Sequence, residues 1–116
     1  MARVLIVDDE SFVRQLLRTY LERAGHIVLE APNGKEALDL FAAQRPDLVV
    51  TDNTMPELTG ADMIRELRRD APGTKIIAMS GFPSGDGLLE VNCLLPKPFT
   101  REEFLSAVEQ ALSRES

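Results

Sequence analysis

Cysteine and histidine are almost missing from the sequence, which has one of each, Cys93 and His26. A single cysteine cannot form an internal disulfide, and the two residues match no zinc-finger spacing. We therefore expect a protein of a reducing compartment, the cytoplasm, whose fold and function depend neither on disulfides nor on a Cys/His metal centre.

Long apolar runs and basic charge are scarce as well. No segment approaches the roughly 20 apolar residues of a membrane span, and the N-terminal apolar run is too short for a signal peptide. The chain has 13 Lys and Arg against 19 Asp and Glu, a net charge of −6 that repels phosphate backbones and anionic membranes. We expect a soluble protein that binds neither nucleic acid nor membranes directly.

Apolar residues make up 44% of the 116 positions, enough for the core of one domain. Their spacing alternates between short buried strands and amphipathic helices. Strands are predicted at 4–7, 27–29, 48–51, 76–79 and 93–95. In the first helix the apolar positions are Phe12, Val13, Leu16, Leu17, Tyr20, Leu21 and Ala24, with Ser11 or Asp9 as the N-terminal cap and Gly25 at the end.

This alternation predicts right-handed βαβ crossovers and a parallel sheet with helices on both faces. We expect a doubly wound α/β domain of the flavodoxin-like type, with five strands in the order 2-1-3-4-5. In such sheets the ligand crevice lies outside the carboxyl ends of strands one and three.

Polar side chains follow four of the predicted strands at that edge. They are Asp8 and Asp9 after strand one, Asp52 after strand three, Ser80 after strand four and Lys97 after strand five. Two carboxylates about 4 Å apart repel by about 4 kcal/mol at an effective dielectric near 20, so a positive partner is needed. Oxygen ligands without His or Cys suit Mg²⁺, and the Lys97 ammonium supplies a second positive charge.

A carboxylate beside Mg²⁺, a lysine and a hydroxyl is suited to accepting a phosphoryl group, and Asp52 is the candidate nucleophile. Each feature alone has a structural explanation: Asp8 and Asp9 could cap a helix, Asp52 could open a turn, and Lys97 before Pro98 could mark a bend. Compatible chemistry at four strand ends favours a functional site.

The same residues resemble the receiver domain of two-component response regulators over essentially the whole chain. The segments VLIVDDE, DLVVTDNTMPELTG, IIAMSG and LPKPF occur in the family's order. The resemblance implies that Asp52 accepts a phosphoryl group from a histidine kinase or a histidine phosphotransfer protein. It also implies a site for Mg²⁺, with Mn²⁺ as a substitute, in which Asp9 and Asp52 are ligands, Asp8 acts mainly through water, and the backbone carbonyl of Thr54 completes the set.

The resemblance assigns further roles. Ser80 would follow the phosphoryl group as a conformational switch, and Lys97 would pair with its oxygens. Asn53, Thr54 and Phe82 would line the path of the hydrolytic water and set the phosphoryl lifetime. The exposed face of the first helix, with Arg14, Gln15 and Arg18, would dock the kinase. The signal would pass to a downstream protein, and the chain would be a monomer or weak dimer.

Two departures from the family pattern affect the output. Leu94 stands where receivers usually have the Tyr or Phe of the switch. Only sixteen residues separate Ser80 from Lys97, and this stretch begins with several glycines. Each glycine costs about 1 kcal/mol relative to alanine in a helix interior. We therefore expect a short turn or a loop in place of the helix that receivers carry between strands four and five.

We expect residues 1–116 to form a single receiver domain with no effector domain. Two other functions remain open. One is a docking module that works without phosphorylation, which Leu94 allows. The other is an aspartate-based phosphohydrolase, in which a second carboxylate usually lies two residues after the nucleophile, where this chain has Thr54.

Overall fold

The computed structural model describes residues 2–52, 60–71, 73–80, 93–96 and 98–113. Its strands are β1 (Arg3–Val7), β2 (Ile27–Ala31), β3 (Leu48–Asp52), β4 (Lys75–Ser80) and β5 (Cys93–Pro96). Its helices are α1 (Ser11–Arg23), α2 (Gly34–Gln44), α3 (Gly60–Asp70) and α4 (Arg101–Ser113). Within these ranges no helix combines the length and the apolar character needed to cross a membrane.

The strands form one parallel sheet in the order β2-β1-β3-β4-β5, which confirms the predicted flavodoxin-like topology. β1 lies between β2 and β3, and its last residue, Val7, pairs with Ala31 on one side and Thr51 on the other. The central strands therefore end level with each other. The chain leaves β1 and β3 toward different helices, so a crevice opens at this edge.

Successive side chains of a strand point to opposite faces of the sheet, so the buried residues form two separate core layers, one on each face. Val4 and Ile6 point toward α1 and α4, where Phe104 is fully buried. Leu5 and Val7 point toward α2 and α3 and pack in a second layer. The sheet is covered on both faces, which explains why the sequence of β1 is an unbroken apolar run rather than an alternating one.

The first helix buries less of its apolar stripe than the sequence suggests. Leu17 and Leu21 are buried, but Phe12 is 72% exposed and Leu16 is 40% exposed. At about 100° per residue, Phe12 and Leu16 lie on the side of α1 opposite Leu21. The apolar positions cover an arc of about 180°, which is wider than the part of the helix that the sheet covers.

The helix boundaries reflect local capping. The N-cap of α1 is Glu10, whose side chain makes no capping bond, so the prediction of Ser11 or Asp9 as the cap was wrong. Gly25 follows α1 with φ of 94°, the left-handed conformation expected after a helix. α4 begins with a capping box in which the Thr100 hydroxyl accepts from the Glu103 amide at 3.0 Å and the Glu103 carboxylate accepts from the Thr100 amide at 2.8 Å.

Several predictions concern residues outside the described ranges. They include the loop expected between Ser80 and β5 (residues 81–92) and the roles of Asn53, Thr54, Phe82 and Lys97. These stay predictions from the sequence.

Replacing Phe104 with alanine should strongly destabilise the fold. The ring is fully buried, stacks on Phe99 at a centroid distance of 5.8 Å and lies 6.2 Å from the Tyr20 ring. We expect Phe104→Ala to lower the free energy of unfolding by about 3–5 kcal/mol in urea titrations. The control is Phe12→Ala, which should change it by less than about 0.5 kcal/mol because Phe12 is exposed. Similar losses in both variants would contradict the packing described.

The capping box of α4 gives a second stability prediction. Thr100→Ala should lower the free energy of unfolding by about 1 kcal/mol, because the Glu103 amide loses its acceptor. Thr19→Ala serves as the matched control: this hydroxyl bonds the Gln15 carbonyl within α1, and alanine has the higher helix propensity. The control should be neutral or slightly stabilising in the same titration, and an equal loss in both variants would argue against a capping role for Thr100.

Candidate functional site

Two buried aspartates meet where β1 and β3 end. Asp52 is the last residue of β3 and is 5% exposed, while Asp8 follows β1 directly and is fully buried. The pairing of Val7 with Thr51 brings the two aspartates to the same level of the sheet. Burying carboxylates is costly unless nearby charges or hydrogen bonds compensate for the lost water. Two of them on adjacent strands therefore mark this edge as specialised.

Three acidic side chains form a group in the turn that follows β1. Asp8, Asp9 and Glu10 each offer an oxygen, and these oxygens lie within 4.8 Å of one another. Ligand oxygens around Mg²⁺ sit at about 2.1 Å from the ion and therefore about 3–4 Å apart. Only a small contraction of the group is needed, so these all-oxygen donors fit a small, hard divalent cation. The sequence prediction named Asp8 and Asp9 as metal-site residues and did not name Glu10, which is next to them in the chain and belongs to the same group of oxygens.

The turn between β1 and α1 is held by hydrogen bonds at Asp8. The Asp8 amide donates to the Ala31 carbonyl at 3.1 Å, which ties the turn to β2. One Asp8 carboxylate oxygen accepts from the Glu10 amide at 2.9 Å. The Asp8 carbonyl accepts from Nη1 of Arg14 at 2.5 Å. Asp8 is therefore fixed through its amide, its carbonyl and its side chain.

The arginines of α1 are bound to acidic partners. Nε of Arg14 lies 3.3 Å from a Glu30 carboxylate oxygen, and Nη1 of Arg18 lies 2.6 Å from the other. Arg18 also pairs with Glu22 at 3.2 Å, and its hydrogen bonds to Glu30 and then to Glu22 raise the pKa of the guanidinium. The Arg14 side chain is only 17% exposed. Of the residues predicted to form an exposed docking face, Gln15 is exposed, whereas Arg14 is largely covered because it lies next to the core-facing side of α1.

The outer side of α1 presents apolar surface close to the acidic group. Phe12 is two residues beyond Glu10 in the first turn of the helix, and Leu16 lies one turn further along the same side. The helix begins at the carboxyl edge of the sheet, so Phe12 lies near that edge and Leu16 lies about 6 Å further from it along the helix.

The remaining predicted site residues are placed only in part. Ser80 ends β4, one residue beyond Met79, which pairs with Asp52, so its backbone reaches the same edge. Leu94 pairs with Ala78 in the β5 register. Their side chains, and the whole of Asn53, Thr54, Phe82 and Lys97, lie outside what the structure describes. The structure thus places Asp8, Asp52 and the backbone of Ser80 at one edge of the sheet, while the carboxylate oxygens that lie within 4.8 Å of one another are those of Asp8, Asp9 and Glu10.

Comparison with known proteins agrees with this arrangement. Residues 4–109 match the family model of the response regulator receiver domain. The chain is 39% identical over 116 residues to the chemotaxis protein CheY of Thermotoga maritima, covering 98% of this chain and 97% of that protein. It is 38% identical over 117 residues to the response regulator MprA of Mycolicibacterium vanbaalenii, covering 97% of this chain but 51% of that protein. The chain thus spans almost all of one relative and about half of the other.

Solved structures with the same fold are also receivers. The response regulator protein TrrA of Thermotoga maritima, solved in complex with Mg²⁺ and BeF, superposes with a TM-score of 0.91 at 32% identity and covers 97% of this chain and 100% of its own. The chemotaxis protein CheY4 of Vibrio cholerae gives a TM-score of 0.89 at 31% identity, covering 97% and 99%. The chain therefore belongs to the response regulator receiver domain family, the signalling modules of two-component systems.

Proposed function

We propose that the chain is a phosphoacceptor in His-to-Asp signalling, and that Asp52 takes a phosphoryl group from a histidine kinase or a histidine phosphotransfer protein. The observation that carries the proposal is the position of buried Asp52 at the end of β3, level with Asp8 and beside the acidic group of Asp8, Asp9 and Glu10. The phosphoryl group would then alter a surface that a downstream protein recognises.

The transfer needs one bond to form and one to break. A carboxylate oxygen of Asp52 attacks the phosphorus of a phosphohistidine, the phosphorus–nitrogen bond breaks, and its electron pair returns to the imidazole nitrogen. Phosphoryl transfer depends mainly on positioning and charge neutralisation, so no strong general base is required. Burial of Asp52 limits the access of water, which would otherwise compete with the Asp52 carboxylate as the nucleophile that attacks the phosphorus.

Asp8, Asp9 and Asp52, with the backbone carbonyl of Thr54, would hold Mg²⁺, or Mn²⁺ in its place, and Glu10 lies close enough to contribute. The bound cation supplies charge neutralisation for the phosphoryl oxygens. The family resemblance adds Lys97 as a fixed positive charge on those oxygens and Ser80 as the switch, while Asn53, Thr54 and Phe82 set the lifetime. With Leu94 at the usual aromatic position, the switch works without an aromatic side chain.

The histidine-bearing partner docks, in this proposal, on the outer side of α1. Transfer requires the phosphohistidine to approach Asp52 closely, so the partner must cover the edge of the sheet at which α1 begins. Phe12 and Leu16 offer exposed apolar surface on this side of α1, and Gln15 is exposed next to Phe12. Apolar and aromatic side chains at the centre of an interface usually contribute most of its affinity.

Other features are part of the same proposal. Residues 1–116 act as one receiver domain, in the cytoplasm, as a monomer or weak dimer. The negative charge of −6 supports a protein rather than a nucleic acid as its direct target.

Phosphorylation of Asp52 is tested with Mg²⁺ and acetyl phosphate, followed by intact mass measurement. The wild-type chain should gain one phosphoryl group, and Asp52→Asn or removal of Mg²⁺ with EDTA should abolish the gain. Asp39→Asn, which removes an exposed carboxylate from α2, is the matched control and should label like the wild type. Absence of any adduct would favour the docking module that works without phosphorylation, and continuous hydrolysis of phosphoesters would favour the phosphohydrolase.

The docking face is tested by comparing two phosphodonors. Phe12→Ser should lower the rate of transfer from a phosphorylated histidine phosphotransfer protein by roughly tenfold to thirtyfold, the effect of losing an apolar interface residue worth about 1.4–2 kcal/mol. The rate with acetyl phosphate should not change, because that donor needs no docking surface. Ile27→Ser removes a 48% exposed apolar residue at the opposite edge of the sheet and should leave both rates unaltered. Equal losses with both donors would contradict a docking role.

A further inference from the structure

Arg14 joins the turn after β1 to the neighbouring strand β2. Its Nη1 donates to the Asp8 carbonyl at 2.5 Å, and its Nε lies 3.3 Å from Oε1 of Glu30. The side chain is only 17% exposed, so both ends of the contact are partly shielded from water. A planar guanidinium can bond two acceptors at once with fixed geometry, which an ammonium cannot.

The contact acts at the residue that begins the acidic group. The Asp8 carbonyl belongs to the peptide plane that joins Asp8 to Asp9, and this plane is rigid. Holding the carbonyl therefore restricts the directions in which the side chains of Asp8 and Asp9 leave the backbone. The Asp8 carboxylate in turn accepts from the Glu10 amide at 2.9 Å, which extends the restraint to the third carboxylate.

We propose that Arg14 is a positioning residue for the divalent cation of the acidic site. It holds the turn so that the oxygens of Asp8, Asp9 and Glu10 face one another within 4.8 Å before a cation arrives. This inference rests on the proposed function, because it assigns Arg14 a part in the same site. Partners that orient metal ligands from the next layer commonly affect metal affinity by tenfold or more.

Glu30 is the anchor that keeps Arg14 in this orientation. It lies on β2 opposite Ile6 of β1, and its two carboxylate oxygens contact different arginines, Oε1 with Arg14 and Oε2 with Arg18. Arg18 thus shares the anchor, but it contacts Glu30 and Glu22 rather than the turn. The two arginines have the same charge and the same anchor, so Arg18 is a natural control for Arg14.

Charge and positioning predict opposite effects on cation binding. Arg14 carries the same sign of charge as Mg²⁺, so if its charge alone mattered, its removal would tighten binding. If Arg14 positions the turn, its removal weakens binding despite the lost repulsion. A purely structural residue would lower the melting temperature without changing the dissociation constant.

The experiment is calorimetric titration of the metal-free chain with MgCl₂ at constant ionic strength. Arg14→Ala should raise the dissociation constant by at least about threefold, less than the effect typical of such partners because the lost repulsion offsets part of it. Arg14→Lys keeps the charge but not the two-point contact, so it should also bind more weakly than the wild type. Arg18→Ala should leave the constant unchanged or slightly lower.

A second measurement follows the turn without any cation. Amide exchange at Glu10, read by NMR in metal-free protein, should be faster by about fivefold or more in Arg14→Ala and unchanged in Arg18→Ala, because Arg14 donates to the carbonyl of Asp8 whereas Arg18 bonds Glu22 and Glu30. Circular dichroism establishes that each variant is folded. If Arg14→Ala does not fold, Glu30→Gln takes its place, since it weakens the anchor with little change of shape. Faster exchange at Glu10 is then the deciding result, because the lost negative charge of Glu30 by itself weakens Mg²⁺ binding.

The outcomes separate this inference from the proposed function. Equal or tighter Mg²⁺ binding in Arg14→Ala, with the wild type binding normally, would overturn the positioning role and leave the phosphoacceptor proposal intact. Unchanged exchange at Glu10 would also overturn it. A wild-type chain that does not bind Mg²⁺ would overturn the metal site of the proposed function, and the positioning role with it.

Discussion

The parallel pairing of β1 with β3 is the constraint on which the site depends. These strands are neighbours in the sheet but not in the chain, so the connections that follow them diverge and leave a crevice at their carboxyl ends. The register that sets Val7 opposite Thr51 puts Asp8 and Asp52 side by side in this crevice. A shift of one residue in either strand would exchange side chains between the two buried layers and disrupt the packing of both, so the packing that stabilises the sheet also holds the two aspartates at the same level.

The strand order and the position of the two aspartates could be predicted, because the residues in and just after each strand show where it ends. The buried segments 4–7 of β1 and 48–51 of β3 are each followed by an aspartate, and in a parallel sheet such ends share an edge. The strand order and the meeting of Asp8 with Asp52 follow from that pattern. The rotation of α1 about its axis could not be predicted in the same way. Its apolar arc allows several orientations, and only the fit against the sheet leaves Phe12 and Leu16 outside.

That rotation also decides what the arginines of α1 do. Arg14 and Arg18 lie about 200° and 240° around the helix from Phe12, next to the buried stripe of Leu17 and Leu21. From there they reach Glu30 on β2, a glutamate in a mostly apolar strand that gives no sequence signal of its partner. The covered position of Arg14 thus has a geometric cause, as does its contact with the Asp8 carbonyl, since it belongs to the first turn of the helix and lies close to the end of β1.

The helix α1 therefore has two different surfaces near the acidic turn. Its outer side presents Phe12 and Leu16 to solvent, while its flank contacts the turn that carries the acidic group. The two sides are nearly opposite on the helix, so substitutions on one need not disturb the other. The surface that selects a partner can then vary in sequence while the geometry of the acidic turn is kept. In the proposed function, the register of β1 with β3 and the two-point contact of Arg14 hold the acidic turn, and this separation lets partner recognition change without changing the chemistry at Asp52.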